Sequence, residues 1–385
     1  MTTTGRYDWL PDHQLHVVAT LAHADHLIEL AAETLRPVLR DGAVELHDRY
    51  EGGLCLATVK AVKPIPPAVS RYTADALTQL RAALEHVLFV EVERATGRDL
   101  TESEARAIEM PACTDADDFG KWLNDGRRKK LSALRDGTRL VKRIRELQPY
   151  NLRKQPDQHP LRLLVAHTNL AKHRAPLVAA TRVGRVIPDS MPPGVEIPEP
   201  SGQPVRVGDV LAIAPAGVVL PMDIWPTISV RRPHTGEFPI LLSEFELIAD
   251  WVRTVAIPIL VTGGSNVTHL PVELDTTAAW DDPRAVIAAG GHVTAPARFR
   301  RSIQVRIGRE GLRDMLDVHP AKPDRDAIRR WVRSLSDDDV LARITAVTAG
   351  TSVEIMLRNK AVTDGWVDEV TALEGQAVES PVRPV

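Results

Sequence analysis

The chain has 385 residues, 44% hydrophobic and 26% charged, with a net charge of −3. This is ordinary globular composition with room for sizeable cores, and it excludes a fibrous, low-complexity or wholly disordered chain. The longest apolar runs, near Val210–Pro221 and Val255–Val261, are short and broken by proline, so no membrane span is expected.

Cys55 and Cys113 form neither a CxxC nor a spaced metal pattern, and the first residues lack the apolar core of a signal peptide. Both observations point to a cytoplasmic protein with reduced thiols. The charge is unevenly spread. Eleven Lys and Arg lie between Arg127 and Lys154, against Asp136 and Glu146, a local balance of +9 in an acidic chain. Such an island suits a polyanion.

In chain order, Leu15 to Leu39 has apolar residues at three- and four-residue steps and predicts a long helix. His23, His26 and Glu29 on it form a ladder, but no HExxH-type signature accompanies them. No metal site and no cofactor is expected. Ala43 to Val62 alternates about Glu51-Gly52-Gly53 and reads as a hairpin. Tyr72 to Glu93 predicts the central helix, with Ala76, Leu77, Leu80, Ala83, Leu84, Val87 and Leu88 on its buried arc. Arg81 and His86 fall at opposite margins of that arc, about 140° apart at 100° per residue. Two readings stay open: both side chains reach one ligand, or Arg81 merely pairs with Glu85 at i, i+4.

Thr101-Glu-Ser-Glu is a capping-box start. From Arg128 to Leu147, a continuous helix would line up Arg128, Arg135, Arg139, Lys142 and Arg143 as a basic ridge over Leu134, Leu140, Val141 and Ile144; Asp136-Gly137 would instead break it. Leu161 to Leu177 predicts a helix on which Asn169 and His173 are i, i+4 neighbours, with Lys172 and Arg174 beside them. Eleven prolines between Pro188 and Pro239 mark a boundary followed by short strands. Ser243–Val255 is expected as a helix, Ala256–Val261 and Arg298–Ile307 as strands. Two helices are expected over Asp324–Leu335 and Ser336–Val347, and a strand over Thr351–Arg358. The expected fold class is therefore α+β: an N-terminal helical bundle (residues 1–187) with an inserted hairpin at 43–62, a Pro-rich linker (188–204), a smaller mixed α/β region (205–373) and a disordered tail (374–385).

The order Leu80-Arg81-Ala82-Ala83-Leu84-Glu85-His86, Gln148-Pro149-Tyr150 and Asn169-Leu170-Ala171-Lys172-His173-Arg174 resembles a family of uncharacterised bacterial proteins with LRxALDH-like, QPY and N-x-x-KHR motifs. Glu85 replaces the more usual Asp, and Ala171 a usual acidic residue. Arg81-x4-His86 also resembles the signature of the HEPN superfamily of helical nucleic-acid and defence proteins, although Ala82 stands where a polar residue is preferred. That resemblance implies an RNA-binding protein, with metal-independent endoribonuclease activity and Arg/His pairs meeting across a homodimer. In it, His86 would act as general base on a ribose 2′-OH and Arg81 would brace the phosphorane charge, with Asn169 and His173 completing the site. Arg128, Arg135, Arg139, Lys142, Arg143, Lys172 and Arg174 would hold the RNA backbone. The alternative is a non-catalytic scaffold or binding module in which the Arg, His and KHR residues form a polar network between helices.

Overall fold

A computed structural model of the chain describes residues 5–173, 177–347, 350 and 352–378, with side chains at all of these except 173 and 374–378. The fold is α+β, and the chain divides into two compact units, Met1–Pro296 and Ala297–Val385.

The first unit is built around two long helices. Helix α1 (His16–Arg40) leads into a hairpin of β1 (Val44–Glu51) and β2 (Leu54–Val62). Gly52 and Gly53 make its two-residue turn with φ of +57° and +80°, the paired positive values that only such residues adopt readily. Helix α2 (Pro67–Thr96) starts on Pro67, where a missing N–H costs nothing, and stops at left-handed Gly97. Ala76, Leu77, Leu80, Ala83, Leu84, Val87 and Leu88 are all buried, as the periodicity predicts.

After α2 come α3 (Glu102–Ala105), held by a complete capping box on Thr101 and Glu104, then α4 (Ala116–Leu123), α5 (Arg139–Glu146) and α6 (Pro160–His173). Helix α2 packs against α1 and α6, and its apolar face closes one continuous core with them. Strands β3 (Ala179–Pro188), β4 (Val210–Pro215) and β5 (Met222–Val230) follow; β4 pairs antiparallel with β2, and β3 with β5. Val59, Val183 and Leu211 bury a small core between the two sheets. The strands on either side of the Pro-rich stretch at 188–204 are thus joined by pairing, and the division between units falls at Pro296 instead.

The unit closes with α7 (Leu241–Trp251), α8 (Ile257–Thr262) and α9 (Pro283–Ala289). The run expected as a strand over Ala256–Val261 is helical. A π turn, Val252–Ala256, joins α7 to α8, with the Ile257 N–H reaching back to Val252 O next to Pro258. Val252, Ala256, Ile257, Ile259 and Leu260 are all buried, so this helix carries no polar face to announce itself.

The second unit contains helices only among its described residues. Most of α10 (Ala295–Asp317), α11 (Arg325–Ser334), α12 (Asp337–Ala346) and α13 (Val353–Val378) enclose Leu312, Leu316, Ile328, Trp331, Val340, Trp366 and Val370. Two expected strands are corrected here. Arg298–Ile307 lies within α10, whose buried Val305, Leu312 and Leu316 follow helical spacing. The segment expected over Thr351–Arg358 enters α13, and residue 351 lies outside the described residues. Helix α13 continues to Val378 through the stretch expected as a disordered tail; residues 379–385 lie outside the described ones.

Candidate nucleic-acid interface

Arg81 faces α6. Its Nε donates to Glu85 Oε1 at 2.7 Å, and one terminal nitrogen donates to Thr168 Oγ1 at 2.9 Å and to Asn169 Oδ1 at 2.7 Å. The guanidinium is mostly buried, and Thr168 wholly so. His86 goes elsewhere: it is exposed, and its ring lies 6.2 Å from that of His16 on α1. Partial burial, and then repulsion from His86, hold His16 below the ordinary histidine range. The structure therefore brings Arg81 and Asn169 together and sends His86 to a different neighbour, as a 140° separation on α2 dictates. The side chain of His173 and the whole of Arg174 lie outside what the structure describes, and Lys172 is exposed on the last turn of α6. His23 and His26 are exposed on α1, and among the described residues no three His, Cys, Asp or Glu side chains converge as a metal site requires.

A second buried polar group ties α6 to α7. His167 Nε2 lies 3.2 Å from Glu244 Oε1, and Arg232 donates to both Glu244 oxygens at 2.9 and 2.7 Å. Burial alone would raise the Glu244 carboxyl, but the hydrogen bonds from His167 and Arg232 outweigh it and hold it low.

The basic island is not one helix. Two 3-10 turns, Arg128–Lys130 and Ser132–Leu134, precede Asp136 and Gly137, whose φ of +85° breaks the chain before Thr138 caps α5. The break redistributes the cations. Arg128, expected to contact phosphate, is instead buried: it donates to Ala107 O, Trp122 O and Glu109 Oε1, and its guanidinium lies 4.7 Å over the Trp122 ring. Arg143, expected on the same ridge, donates to Leu260 O and Val261 O at 2.8 and 3.0 Å and so closes the carboxyl end of α8. Arg135, Arg139 and Lys142 are exposed, as are Lys129 and Lys130, and among the described residues these five form no ion pair.

Beside them lies a cavity of about 710 Å³, lined by Phe119, Leu123, Leu134 and Tyr150 together with Lys129, Arg135 and Arg145. Arg145 donates to Asp136 Oδ1 at 2.7 Å and sits 5.5 Å over the Phe119 ring. Lys129, Arg145 and Phe119 escape a reading that looks for a helical ridge; the only signal they leave is an aromatic next to a run of one-signed charge in a chain poor in aromatics. Of the Gln148-Pro149-Tyr150 motif, Gln148 ties the surrounding segments together and Tyr150 lines this cavity. Buried Gln148 accepts from the Cys113 N–H at 3.1 Å and donates to Ile144 O at 3.0 Å, while Asn151 donates to Arg145 O and Glu146 O at the end of α5.

No family model, no curated protein and no solved structure matches this chain. The likeness to HEPN proteins accordingly rests on Arg81 and His86, which the fold directs to different helices.

Proposed function

We propose that this chain is an RNA-binding protein that holds a single strand on the face formed by residues 127–154. One observation carries the reading: Lys129, Arg135, Arg139 and Lys142 are exposed and lack anionic partners among the described residues, in the segment where positive charge is concentrated. Cations left unneutralised by their own fold can displace the counterions that surround a polyphosphate. Arg81, Glu85, Thr168 and Asn169 act as the interhelical network of the non-catalytic alternative, because the Arg81 guanidinium is already engaged on α6.

The test is fluorescence anisotropy of a labelled single-stranded RNA across a salt series. With four phosphate contacts, log K should fall with log salt at a slope near about −3, taking roughly −0.7 per contact on a single strand. Arg139→Glu with Lys142→Glu should weaken binding at least about tenfold without changing the melting temperature. No binding at low salt, or a double variant that binds like wild type, removes the proposal. In the same experiment with EDTA, wild type and His86→Ala should leave the RNA intact to the same degree; cleavage by wild type alone would restore the nuclease reading.

A further inference from the structure

The cavity and the cationic face meet through one helix. On α5, Arg139, Lys142 and Arg145 are spaced i, i+3, i+6, so each is turned by about 60° from the one before and they wind across the helix's exposed side. The last of them belongs to the cavity wall. Lys129 and Arg135, exposed on the cationic face, also line the cavity, so a phosphate chain held on that face adjoins it.

The cavity has two chemistries. Its apolar lining includes Leu123 and the half-buried ring of Tyr150, backed by buried Phe119 and Leu134, and its charged lining is Lys129, Arg135 and Arg145 with a single carboxylate, Asp136. Arg145 is held in place from two sides, by Asp136 and by the Phe119 face. A fixed guanidinium plane is a stacking partner for a base as well as a donor to phosphate. The volume falls within the roughly 300–1,000 Å³ usual for small-ligand sites. A purely apolar ligand would leave Lys129 and Arg135 unpaired, and a bare phosphate would leave the apolar lining wet.

We propose that this cavity receives one unstacked nucleotide of the bound strand, its base against Tyr150 and Leu123 beside Arg145 and its phosphate between Lys129 and Arg135. The inference rests on the RNA-binding reading and adds to it a base-dependent contribution that a cationic face alone lacks.

Gly120 supplies the test. It lies in α4, lines the cavity, and a Cβ built there meets no atom within 4 Å. Gly120→Leu therefore fills the cavity while improving helix propensity, so the fold should survive. Binding of full-length wild type and Gly120→Leu is compared on a uracil decamer and on a decamer of abasic ribose phosphates, with melting temperature as a control. Wild type should prefer the uracil decamer about tenfold, the size of one stacked base. Gly120→Leu should lose that preference and bind the abasic decamer as wild type does. Equal wild-type binding of the two decamers overturns the nucleotide pocket and leaves the RNA reading standing. A preference that persists in Gly120→Leu also overturns it, because the base is then read elsewhere. Binding to neither decamer defeats the RNA reading itself.

Discussion

His159 stands ahead of α6 with its ring edge-on to Trp251, 5.2 Å between centroids, and its Nδ1 accepts the Leu161 N–H at 3.2 Å. Burial pushes its pKa down to about 4, so the folded state favours the neutral ring. The unfolded chain, with an ordinary histidine value near about 6.5, binds the proton first. The stabilisation is thus fully present above pH 6.5 and is lost as pH falls toward 4, by roughly 3 kcal/mol in total. Urea denaturation at pH 7.5, 5.5 and 4.5 should show that decline, and His159→Gln, which does not titrate, should flatten it. A wild type and variant with parallel pH profiles would refute the assignment. Nothing local in the sequence announces this, because Trp251 is distant along the chain and only the packed fold brings the two rings together. The same holds for the arginines of the basic island. Arg128 and Arg139 are alike as letters, yet one is buried on two carbonyls and the other is exposed.

Helix α8 shows how an element is ended from two directions. Gly263 adopts φ +90° as its left-handed cap, and Arg143 of α5 donates to the Leu260 and Val261 carbonyls that the helix leaves open. A Cβ at Gly263 would also lie 3.3 Å from Arg143 Nε. Gly263→Ala should therefore cost roughly 1–2 kcal/mol. Gly264→Ala should be close to neutral, since a Cβ there meets nothing within 4 Å and its φ is not left-handed. Equal melting temperatures for the two variants would contradict this. Elements whose pattern is set by one face were legible: α1, the hairpin and α2 all fall within a few residues of expectation. Helix α7 was legible too, close to the expected Ser243–Val255, but α8 was not, because burial along Ile257–Leu260 erases the polar stripe that distinguishes a helix from a strand. Strand β3 also went unread, its alternation blurred by Gly184 and the register shift between Val183 and Arg185.

The two units bury separate cores, one containing Leu88 and the other Leu312. Calorimetry of the full chain should accordingly show two transitions. Leu88→Ala should lower one and Leu312→Ala the other, each by about 2–5 kcal/mol of the stability of its own unit. A single transition moved by both would disprove independent folding. The amino-acid sequence by itself determined the α+β class, the long helices, the hairpin and the concentration of positive charge, since periodicity, turn glycines and composition are local properties. Which cations stay free, where Arg81 and His86 point, and where the chain divides were decided only by tertiary structure. Each depends on partners distant along the chain, and a guanidinium is committed or available according to whether packing brings carbonyls, carboxylates or solvent to it.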